Sequence, residues 1–573
     1  MSKFEEYKQG NTPSKSTQRI WPLYGAGLEN LGRDGQAIEV PIPSYGDDEL
    51  LVRHDACGLC FSDIKVIRLG EDHPRIYRSM KENPIVLGHE ISMTVVGVGK
   101  NLKDQYKPGD RFIVQADIFV NGVGYAYGYE IQGGLSEYNV IDQRILNGDH
   151  GNYLIPIRPD TGYAESALVE PWACVIAAYY LQYRTGLKEG GTVWFIGPED
   201  GRTFSLSQGM DASSHPARIR LTNMGGNFGR WLRKKAAELG IQVEEFARIE
   251  SLDTEATPEQ QADDIILLSP SAELIEQASP YLSHHGIMAL ATEKPLDREV
   301  NVDVGRIHYN RWVYIGGTSS DIAQLYNQTP VRSALKQGGR ALFVGAGGPM
   351  GRMHVQHAIE SANPPATIIC SDVSDDRLND LCVSYADEAQ HKGIEWLCVN
   401  PTNKTAYDKD MARFKQAGFD DVIVLAPIPA VISDSSKWLG KKGVMNIFAG
   451  VARGTTALLD LNDAIIKDTR VIGHSASSIE DMVTMLNKVE SGQLSTNRSV
   501  AAIGSLDAVP DGLQALLDAT YPGKVVIFPM IKHLPLTSVT DLEKVLPSVH
   551  AKLKNGREWT KEAEKTLLEE MLD

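Results

Sequence analysis

The sequence is poor in cysteine, in positive charge and in long apolar runs, and each shortage argues against a class of protein. Six cysteines in 573 residues are too few for a secreted disulfide framework, which favours a reducing compartment. The formal net charge of −17 disfavours nucleic acid or an anionic membrane as partner, since both bind through a basic face. No run of about 18 apolar residues predicts a membrane-spanning helix. The polar start lacks the apolar centre of a signal peptide, so we expect a cytoplasmic protein.

The chain is long enough to require several hydrophobic cores, and its pattern changes along its length. Before residue 160, short apolar segments alternate with Gly, Pro and Asp turns, as is typical of antiparallel strands. From residue 165 to 181 the apolar spacing becomes helical, which predicts a helix with Glu170 near its start. From Leu187 onward strands and helices alternate, which indicates parallel α/β sheets.

The α/β part of the chain repeats itself. Residues 187–197 match 335–345 at an offset of 335 − 187 = 148. Residues 262–268 match 419–425 at an offset of 419 − 262 = 157, and later apolar segments keep that second offset. Ungapped agreement over several segments favours an internal duplication over two unrelated folds with a common pattern. We therefore predict two tandem doubly wound domains, which we call copy one (187–330) and copy two (331–480).

Copy two carries a glycine-rich turn in the position where a dinucleotide binds. The apolar segment 341–344 leads directly into Gly345-Ala-Gly-Gly-Pro-Met-Gly351, and a helix is predicted from Met350 to about Glu360. Glycines let the backbone approach a pyrophosphate, and a helix N-terminus favours its negative charge. The next predicted strand ends in Asp372, which would bind the ribose hydroxyls and repel a 2′-phosphate. The pattern favours NAD over NADP, with an ordinary loop acid as the alternative interpretation of Asp372.

Copy one differs at both of these positions. Its turn reads Gly197-Pro-Glu-Asp-Gly-Arg-Thr203, so that Glu199 and Asp200 stand where a pyrophosphate would lie. Thr222 stands at the position of the ribose-binding acid. We therefore predict that copy one does not bind a dinucleotide in the usual way and has a role in packing or assembly.

Three segments carry side chains that could share one metal ion. They are 55–65, 88–90 and 168–171, and their candidate ligands are Cys60, His89, Glu90 and Glu170. Each candidate has a plainer interpretation. Cys57 and Cys60 could be a redox pair or half of a structural zinc site, although no second Cys-x-x-Cys is present. His89 alone could be a buried structural histidine, and Glu170 a helix-capping acid.

The remaining cysteines and one arginine are also candidates for a structural or a functional role. Four cysteines away from these segments are expected in the core: Cys174, Cys370, Cys382 and Cys398. Arg453 follows a predicted strand of copy two and could reach a substrate near the nicotinamide, or could lie on the surface.

Taken together, the motifs resemble the zinc-dependent medium-chain alcohol and polyol dehydrogenases. The resemblance covers 20–186 and 331–530, and its motifs are Gly58-Leu-Cys-Phe-Ser-Asp63, Gly88-His-Glu90, Pro108-Gly-Asp-Arg111, Gly133-Gly-Leu-Ser-Glu-Tyr138, Glu170-Pro171, the glycine-rich turn and Asp372. It implies an α/β plus mostly-β architecture: a GroES-like catalytic domain at 1–186, a degenerate Rossmann-like domain at 187–330, an NAD-binding Rossmann domain at 331–480, a return to the catalytic domain at 481–530 and a helical tail at 531–573.

The resemblance also implies roles for individual residues. Cys60, His89 and Glu170 would hold one catalytic zinc ion, with Glu90 as a nearby or alternative ligand. A structural zinc is not expected, since 112–140 lack the cysteines it needs. The candidate catalytic residues are Ser62, which would carry the substrate proton, Lys65, which replaces a relay histidine, and Glu90, with Asp63 behind the metal ligands. The residues implied to bind NAD are Gly345, Gly347, Gly348, Pro349, Met350, Gly351, Asp372 and Arg377.

The implied reaction is hydride transfer between NAD(H) and a secondary alcohol or ketone of a polyol, sugar or sugar phosphate. The Glu-Pro pair at the third ligand position is similar to sorbitol and glucose dehydrogenases. Four nearby cations give loose support to a phosphorylated substrate: Lys65, Arg68, Arg75 and Arg78. The competing hypothesis is a non-catalytic NAD-binding scaffold or regulatory pseudoenzyme. Relatives commonly dimerise through Rossmann sheet edges, so we expect a homo-oligomer or an intrachain pseudo-dimer.

Overall fold

The structure, a computed structural model, describes residues 2–198, 201–250, 256–327 and 332–573. The chain forms two compact units. The first consists of Met1–Ala177, Gly348–Met353 and Ala476–Asp573, and the second of Ala178–Gly347 and His354–Ser475. Among the described residues, no helix combines the length and apolar character needed to cross a bilayer. The finer division into five domains stays a prediction.

The first unit is built on an eight-stranded sheet that joins the two ends of the chain. In sheet order its strands are Leu154–Pro156, Arg111–Val114, Glu90–Val98, Leu50–Gly58, Lys524–Phe528, Val500–Ser505 and Thr537–Ser538, with Tyr138–Ile141 also paired to Leu50–Gly58. The central strand Leu50–Gly58 is buried along its whole length, because strands cover both its edges and apolar side chains cover its faces. The predicted mostly-β region is confirmed.

Short elements complete this unit. The remaining strands are Thr17–Ile20, Pro22–Leu23, Ile38–Pro41, Ile85–Val86, Asp117–Val120 and Val123–Ala126. The helices are Lys3–Lys8, Phe61–Leu69, Gln143–Leu146, Tyr163–Ala167, Val169–Ala177, Ile479–Glu490, Val509–Leu517, Leu542–Val545, Pro547–His550 and Lys561–Met571. The single helix predicted at 165–181 is wrong in extent, since two helices meet at Leu168. Pro171 has no N–H to donate to the carbonyl of Ala167, which removes one hydrogen bond from a continuous helix.

The second unit contains two six-stranded parallel sheets of the same topology. In sheet order, copy one has Gln242–Phe246, Arg218–Thr222, Thr192–Ile196, Ala262–Leu268, Leu282–Ala291 and Val313–Gly317. Copy two has Glu395–Val399, Thr367–Ser371, Arg340–Val344, Phe419–Val424, Leu439–Ile447 and Arg470–Gly473. The helices of copy one are Asn227–Leu239, Ala272–Ala278, Val304–Asn310 and Ala323–Asn327. Those of copy two are Pro349–Glu360, Asp375–His391, Lys404–Met411, Pro429–Ser436 and Asn462–Ile466. The two tandem doubly wound domains are confirmed.

The duplication extends to individual ion pairs. Just before copy one, Arg184 donates to both carboxylate oxygens of Asp264 at 2.9 Å. The equivalent positions are 184 + 148 = 332 and 264 + 157 = 421, and there Arg332 donates to Asp421. A buried carboxylate needs such a partner, so the pair has been kept in both copies for the same physical reason.

Among its described residues, copy one has no helix equivalent to the one that follows the glycine-rich turn of copy two. In copy two, Pro349–Glu360 connects the strands Arg340–Val344 and Thr367–Ser371. Between the matching strands of copy one, the described residues 197–198 and 201–217 form no helix. Glu199 and Asp200, to which the sequence assigned a role in excluding pyrophosphate, lie outside the described residues. The described part of this connection therefore offers no helix N-terminus to a pyrophosphate.

The two copies pack against each other inside the second unit. Their edge strands Val313–Gly317 and Arg470–Gly473 contact each other. Beside them, Val300–Asp303 pairs antiparallel with Thr456–Leu459. The repeat equivalent of Val300 is residue 300 + 157 = 457, so this strand pairs with its own equivalent, as a two-fold relationship requires. We call these contacts the seam, and one apolar cluster runs through it from both copies.

The expectation that Cys382 and Cys398 are core residues is wrong. Both are half-buried, and a disulfide joins them, 16 residues apart in sequence. Cys382 lies on the helix Asp375–His391, and the chain then turns back to form the strand Glu395–Val399, which places Cys398 beside that helix. Cys370 is buried as expected, whereas Cys174 is half-buried.

Candidate functional site

Three of the predicted metal ligands come together in the first unit. One ligand atom each of Cys60, His89 and Glu90 lies within 4.8 Å of the others. Cys60 immediately precedes the helix Phe61–Leu69, and His89 and Glu90 stand at the start of the strand Glu90–Val98. The antiparallel pairing of that strand with Leu50–Gly58 places these segments side by side. The sheet register therefore brings together a cysteine sulfur, an imidazole and a carboxylate, which is a donor set suited to zinc.

Two glycines permit this close assembly. Gly58 lies opposite Glu90 in the sheet, and a Cβ at Gly58 would collide with Oε2 of Glu90. Gly88 has a φ of 100°, and a Cβ there would come within 2.7 Å of the Cys57 sulfur. Cys57 is thus packed beneath Gly88, and burial followed by the nearby Asp63 raises the pKa of its thiol. The close packing explains why Cys57 is not part of the ligand cluster.

Asp63 holds two of the candidate ligands in position. Its Oδ2 accepts a hydrogen bond from the backbone N–H of Cys60 at 2.9 Å, and its Oδ1 lies 3.4 Å from Nδ1 of His89. Burial by itself would lower the pKa of His89, but Asp63 and Cys60 raise it well above its usual value. A carboxylate behind a histidine orients the ring toward a metal, and Asp63 occupies that position here.

Lys524 is a member of this cluster that sequence inspection missed. Its Nζ donates to Oε1 of Glu90 at 2.5 Å, and both side chains are buried. Burial alone would lower the pKa of Lys524, but Glu90 and then Cys60 raise it above its usual value. The other carboxylate oxygen of Glu90, Oε2, is buried and accepts no hydrogen bond from the described residues. An orphaned buried carboxylate oxygen beside a thiol and an imidazole fits a cation ligand.

Glu170 interacts electrostatically with His89 and Glu90 but is not one of the three clustered ligands. It sits in the first turn of the helix Val169–Ala177 and is half-buried. Burial raises the pKa of Glu170 to about 7. His89 lowers this pKa, and Glu90 raises it. Cys174, one turn further along, has its thiol pKa raised by burial and then by Glu170. Glu170 is not in the group formed by Cys60, His89 and Glu90. It can therefore bind the same metal ion only if its carboxylate moves closer to those three ligand atoms.

The predicted proton-relay residues lie on the helix Phe61–Leu69. Ser62 and Lys65 are both half-buried there. Tyr129, which sequence inspection missed, packs edge-on against His89 with ring centroids 6.0 Å apart, and burial raises its pKa. Tyr129 also packs against His73 at 5.1 Å. No local pattern could have revealed Tyr129, because it reaches the cluster from a different segment of the chain.

The predicted dinucleotide turn follows the strand Arg340–Val344 of copy two. Gly345 has a φ of 83°, and the backbone N–H of Gly347 donates to Oδ2 of Asp372 at 2.8 Å. A Cβ on Gly347 would lie 2.9 Å from that oxygen and 2.7 Å from Cβ of Arg377. Gly348 immediately precedes the helix Pro349–Glu360, whose first turn contains Pro349, Met350 and Gly351. The turn, the acid and the helix start thus fit the ribose and pyrophosphate of a dinucleotide.

Arg453 is exposed at the surface, and its side chain contacts copy one. Its Nε donates to Oδ1 of Asn310 at 2.9 Å, and its guanidinium lies 4.9 Å from the ring centroid of Tyr309. Both partners belong to the copy-one helix Val304–Asn310. These contacts favour a structural role for Arg453.

Comparison with known proteins agrees with this fold. Residues 46–147 match the alcohol dehydrogenase GroES-like domain family. Over 554 residues the chain is 24% identical to the mannitol-1-phosphate 5-dehydrogenase of Aliivibrio fischeri, covering 94% of this chain and 95% of the relative. Over 160 residues it is 32% identical to the L-sorbose 1-phosphate reductase of Klebsiella pneumoniae, covering 28% of this chain and 38% of the relative. A crystal structure of 2R,3R-butanediol dehydrogenase from Bacillus subtilis shares the fold, with a TM-score of 0.50, 15% identity and coverage of 89% and 99% of the two chains.

The GroES-like domain match and the doubly wound parallel sheets agree with the medium-chain dehydrogenase fold. These matches support a relationship to the medium-chain alcohol and polyol dehydrogenases, which are oxidoreductases.

Proposed function

We propose that this protein is a zinc- and NAD-dependent dehydrogenase that interconverts a secondary alcohol and a ketone of a polyol, sugar or sugar phosphate. The observation that carries the proposal is the cluster of Cys60, His89 and Glu90, whose ligand atoms lie within 4.8 Å of one another. Cys60 and His89, with Glu90 or Glu170, would hold one catalytic zinc ion. Bound there, zinc would act as a Lewis acid on the substrate oxygen.

The chain's own residues prepare this site in two ways. Asp63 fixes the imidazole of His89 and the backbone of Cys60, so that both face one point. Lys524 compensates the charge of Glu90 through Oε1, while Oε2 accepts no hydrogen bond from the described residues and is available to a cation. The buried surroundings also strengthen electrostatic interactions at the reacting oxygen.

Ser62 and Lys65 would move the proton released when the alcohol is oxidised. A serine hydroxyl can accept one proton while donating its own, which makes Ser62 suited to pass a proton between a bound substrate and its neighbours. Lys65, three residues further along the same helix, lies on the same helix face and would receive it.

The dinucleotide turn of copy two supports NAD as the hydride carrier. Asp372 would accept hydrogen bonds from the ribose hydroxyls and would repel the 2′-phosphate of NADP. The start of the helix Pro349–Glu360 would face the pyrophosphate. The nicotinamide of the bound cofactor would supply the hydride acceptor.

The name of the full-length relative supports a phosphorylated polyol as substrate. That relative is a mannitol-1-phosphate dehydrogenase, and the match extends over 95% of its length. Two of the four cations noted in the sequence are already paired, Arg75 with Asp117 and Arg78 with Glu130. A substrate phosphate would therefore depend on Lys65 and Arg68.

We further propose that the seam makes the chain an intrachain pseudo-dimer. The support is the antiparallel pairing of Val300–Asp303 with its repeat equivalent and the contact between the two edge strands. The two Rossmann copies would then replace the two subunits of a symmetric dimer.

The test combines metal analysis with an NADH absorbance assay over polyols and polyol phosphates. We expect one zinc per chain and NAD-linked turnover of at least one phosphorylated polyol. Cys60→Ser should abolish both, whereas the neighbouring Cys57→Ser should retain them. A protein that binds NADH but holds no zinc and turns over no polyol would instead be a scaffold or pseudoenzyme.

A further inference from the structure

The disulfide of copy two joins a helix to the edge strand of its sheet. Cys382 lies on the helix Asp375–His391 and Cys398 on the strand Glu395–Val399, and both side chains are half-buried. That strand is the outermost of its sheet and pairs on one side, with Thr367–Ser371. The disulfide therefore holds an outer strand against the helix that precedes it in the chain.

The helix and the strand both contact the loop that carries Asp372. On the strand side, the carbonyl of Val399, next to Cys398, accepts a hydrogen bond from the backbone N–H of Asp372 at 3.3 Å. The adjoining Asn400 donates from Nδ2 to Oδ1 of Asp375 at 2.8 Å, in the first turn of the helix. On the helix side, the backbone N–H of Ser374 donates to Oδ1 of Asp372 at 3.1 Å. The position of Asp372 thus depends on the two elements that the disulfide joins.

Copy one has an ion pair in the equivalent place. Glu245 is the fourth residue of its edge strand Gln242–Phe246, as Cys398 is of the matching strand in copy two. Arg233, on the helix Asn227–Leu239, donates from Nε to Oε1 of Glu245 at 2.6 Å and from Nη2 to Oε2 at 2.9 Å. Both copies therefore link the same helix to the same edge strand. Only the link in the copy with the dinucleotide turn can be broken by a reductant.

The surroundings expected for this protein make the bond a reversible one. The low cysteine content favours a reducing compartment, where disulfides are usually transient or redox-sensing rather than structural. Reduction by a dithiol proceeds through thiol–disulfide exchange. The two sulfurs of the reagent form a disulfide of their own, and Cys382 and Cys398 each gain one electron and one proton.

We propose that Cys382 and Cys398 form a redox-sensitive modification site that regulates the binding of NAD(H) to copy two. With the disulfide formed, the helix and the edge strand hold Asp372 ready for the ribose hydroxyls. Reduction removes the covalent link between these two elements, so that ordering Asp372 around the cofactor costs more free energy and the affinity falls. The inference rests on the proposed function, since it requires NAD(H) at this turn.

The experiment compares the affinity of the full chain for NADH before and after reduction with dithiothreitol, measured by the fluorescence of bound NADH. The oxidised state is prepared in air, and a thiol count on the denatured chain checks it. Of six cysteines, two are in the disulfide, so 6 − 2 = 4 thiols are expected before reduction and six after.

Two variants separate the disulfide from other effects of the reagent. The double variant Cys382→Ser/Cys398→Ser cannot form the bond. Because a dithiol also binds zinc, this variant shows any change in NADH affinity that the reagent causes at the metal site. The control is Cys174→Ser, which removes a half-buried cysteine of the first unit and keeps the disulfide.

We expect reduction to raise the Kd for NADH about fivefold or more in the unaltered chain and in Cys174→Ser, the lower end of typical coupling between two sites. The double variant should bind NADH as the reduced chain does and should not respond to dithiothreitol. Equal affinity in both states, or a response that the double variant retains, would overturn the regulation and leave NAD binding intact. Six thiols before reduction would overturn it as well. A chain that binds NADH in neither state would overturn the proposed cofactor together with its regulation.

Discussion

Lys524 donates a hydrogen bond to Glu90 across 434 residues of sequence, and both side chains are buried. The two residues lie on strands that flank opposite edges of Leu50–Gly58. This contact links the strand Lys524–Phe528, near the end of the chain, to the candidate metal site. Lys524 can compensate the charge of Glu90 only when that strand has joined the sheet.

Replacing Lys524 by methionine should destabilise the metal-free protein by about 3–5 kcal/mol, since it leaves a buried carboxylate without its partner. Adding Glu90→Gln should recover much of that loss, because the uncompensated charge is then gone. Urea unfolding in the presence of a chelator measures both effects. If Lys524→Met unfolds at the same urea concentration as the unaltered chain, the ion pair does not stabilise the fold.

Asp372→Asn should weaken the preference for NAD over NADP. The amide keeps an acceptor for the N–H of Gly347 but no longer repels a 2′-phosphate. We expect the ratio of kcat/KM for NADP to that for NAD to rise roughly tenfold or more, which corresponds to about 1.4 kcal/mol. Asp376→Asn, at an exposed position on the following helix, is the control and should leave the ratio unchanged.

Glu564 makes the stability of the first unit dependent on pH. It accepts hydrogen bonds from the backbone N–H groups of Tyr163 and Ala164, and burial raises its pKa from 4.5 to about 7. A carboxyl with a raised pKa in the folded state stabilises the fold when protonated. Its contribution, at most about 3 kcal/mol, is therefore complete below pH 4.5 and is lost as the pH rises through about 7.

Comparing urea unfolding of Glu564→Gln with the unaltered chain between pH 5 and 8 isolates this contribution. The difference in unfolding free energy between the two should change with pH in the stated direction. The exposed Glu562→Gln, on the same helix, should show no such pH dependence. A difference that is constant across this range would mean that Glu564 titrates alike in the folded and unfolded chains.

The seam should not tolerate a larger side chain at Gly473. A Cβ there would lie 2.7 Å from the carbonyl oxygen of Ile307 and 2.8 Å from the Cα of His308, both in copy one. Gly473→Val should therefore lower the free energy of unfolding by about 1–3 kcal/mol through overpacking. Gly186→Val, where the added Cβ meets no atom within 4 Å, is the matched control for thermal unfolding. Equal stability of the two variants would mean that the copies do not pack closely at Gly473.

Much of the candidate site could be predicted because its residues are grouped in short motifs. Cys60, His89 and Glu90 are recognisable from their neighbours in sequence, and the order of strands then brings them together. The dinucleotide turn is equally local, since a strand, glycines and a helix start follow one another. Functional residues that belong to a motif of about ten residues could therefore be predicted without a structure.

The parts that escaped prediction depend on long-range packing. Lys524 stands in an ordinary strand pattern, and only the pairing of Lys524–Phe528 with Leu50–Gly58 brings it to Glu90. Cys382 and Cys398 looked like two core residues, because the turn that aligns their helix and strand is not visible from composition. The sequence also did not reveal that the described part of this connection in copy one forms no helix, since the connection keeps a length similar to its equivalent in copy two.

The seam has a consequence for how the protein behaves on dilution. Two separate subunits exchange partners, and their association weakens as the protein concentration falls. The two Rossmann copies share one polypeptide, so each always encounters the other at an effective concentration that the connecting chain fixes. The pairing of Val300–Asp303 with Thr456–Leu459 should therefore persist in the most dilute solution. Because each copy always pairs with the other copy of its own chain, one copy can change in sequence without forming pairs between two altered copies.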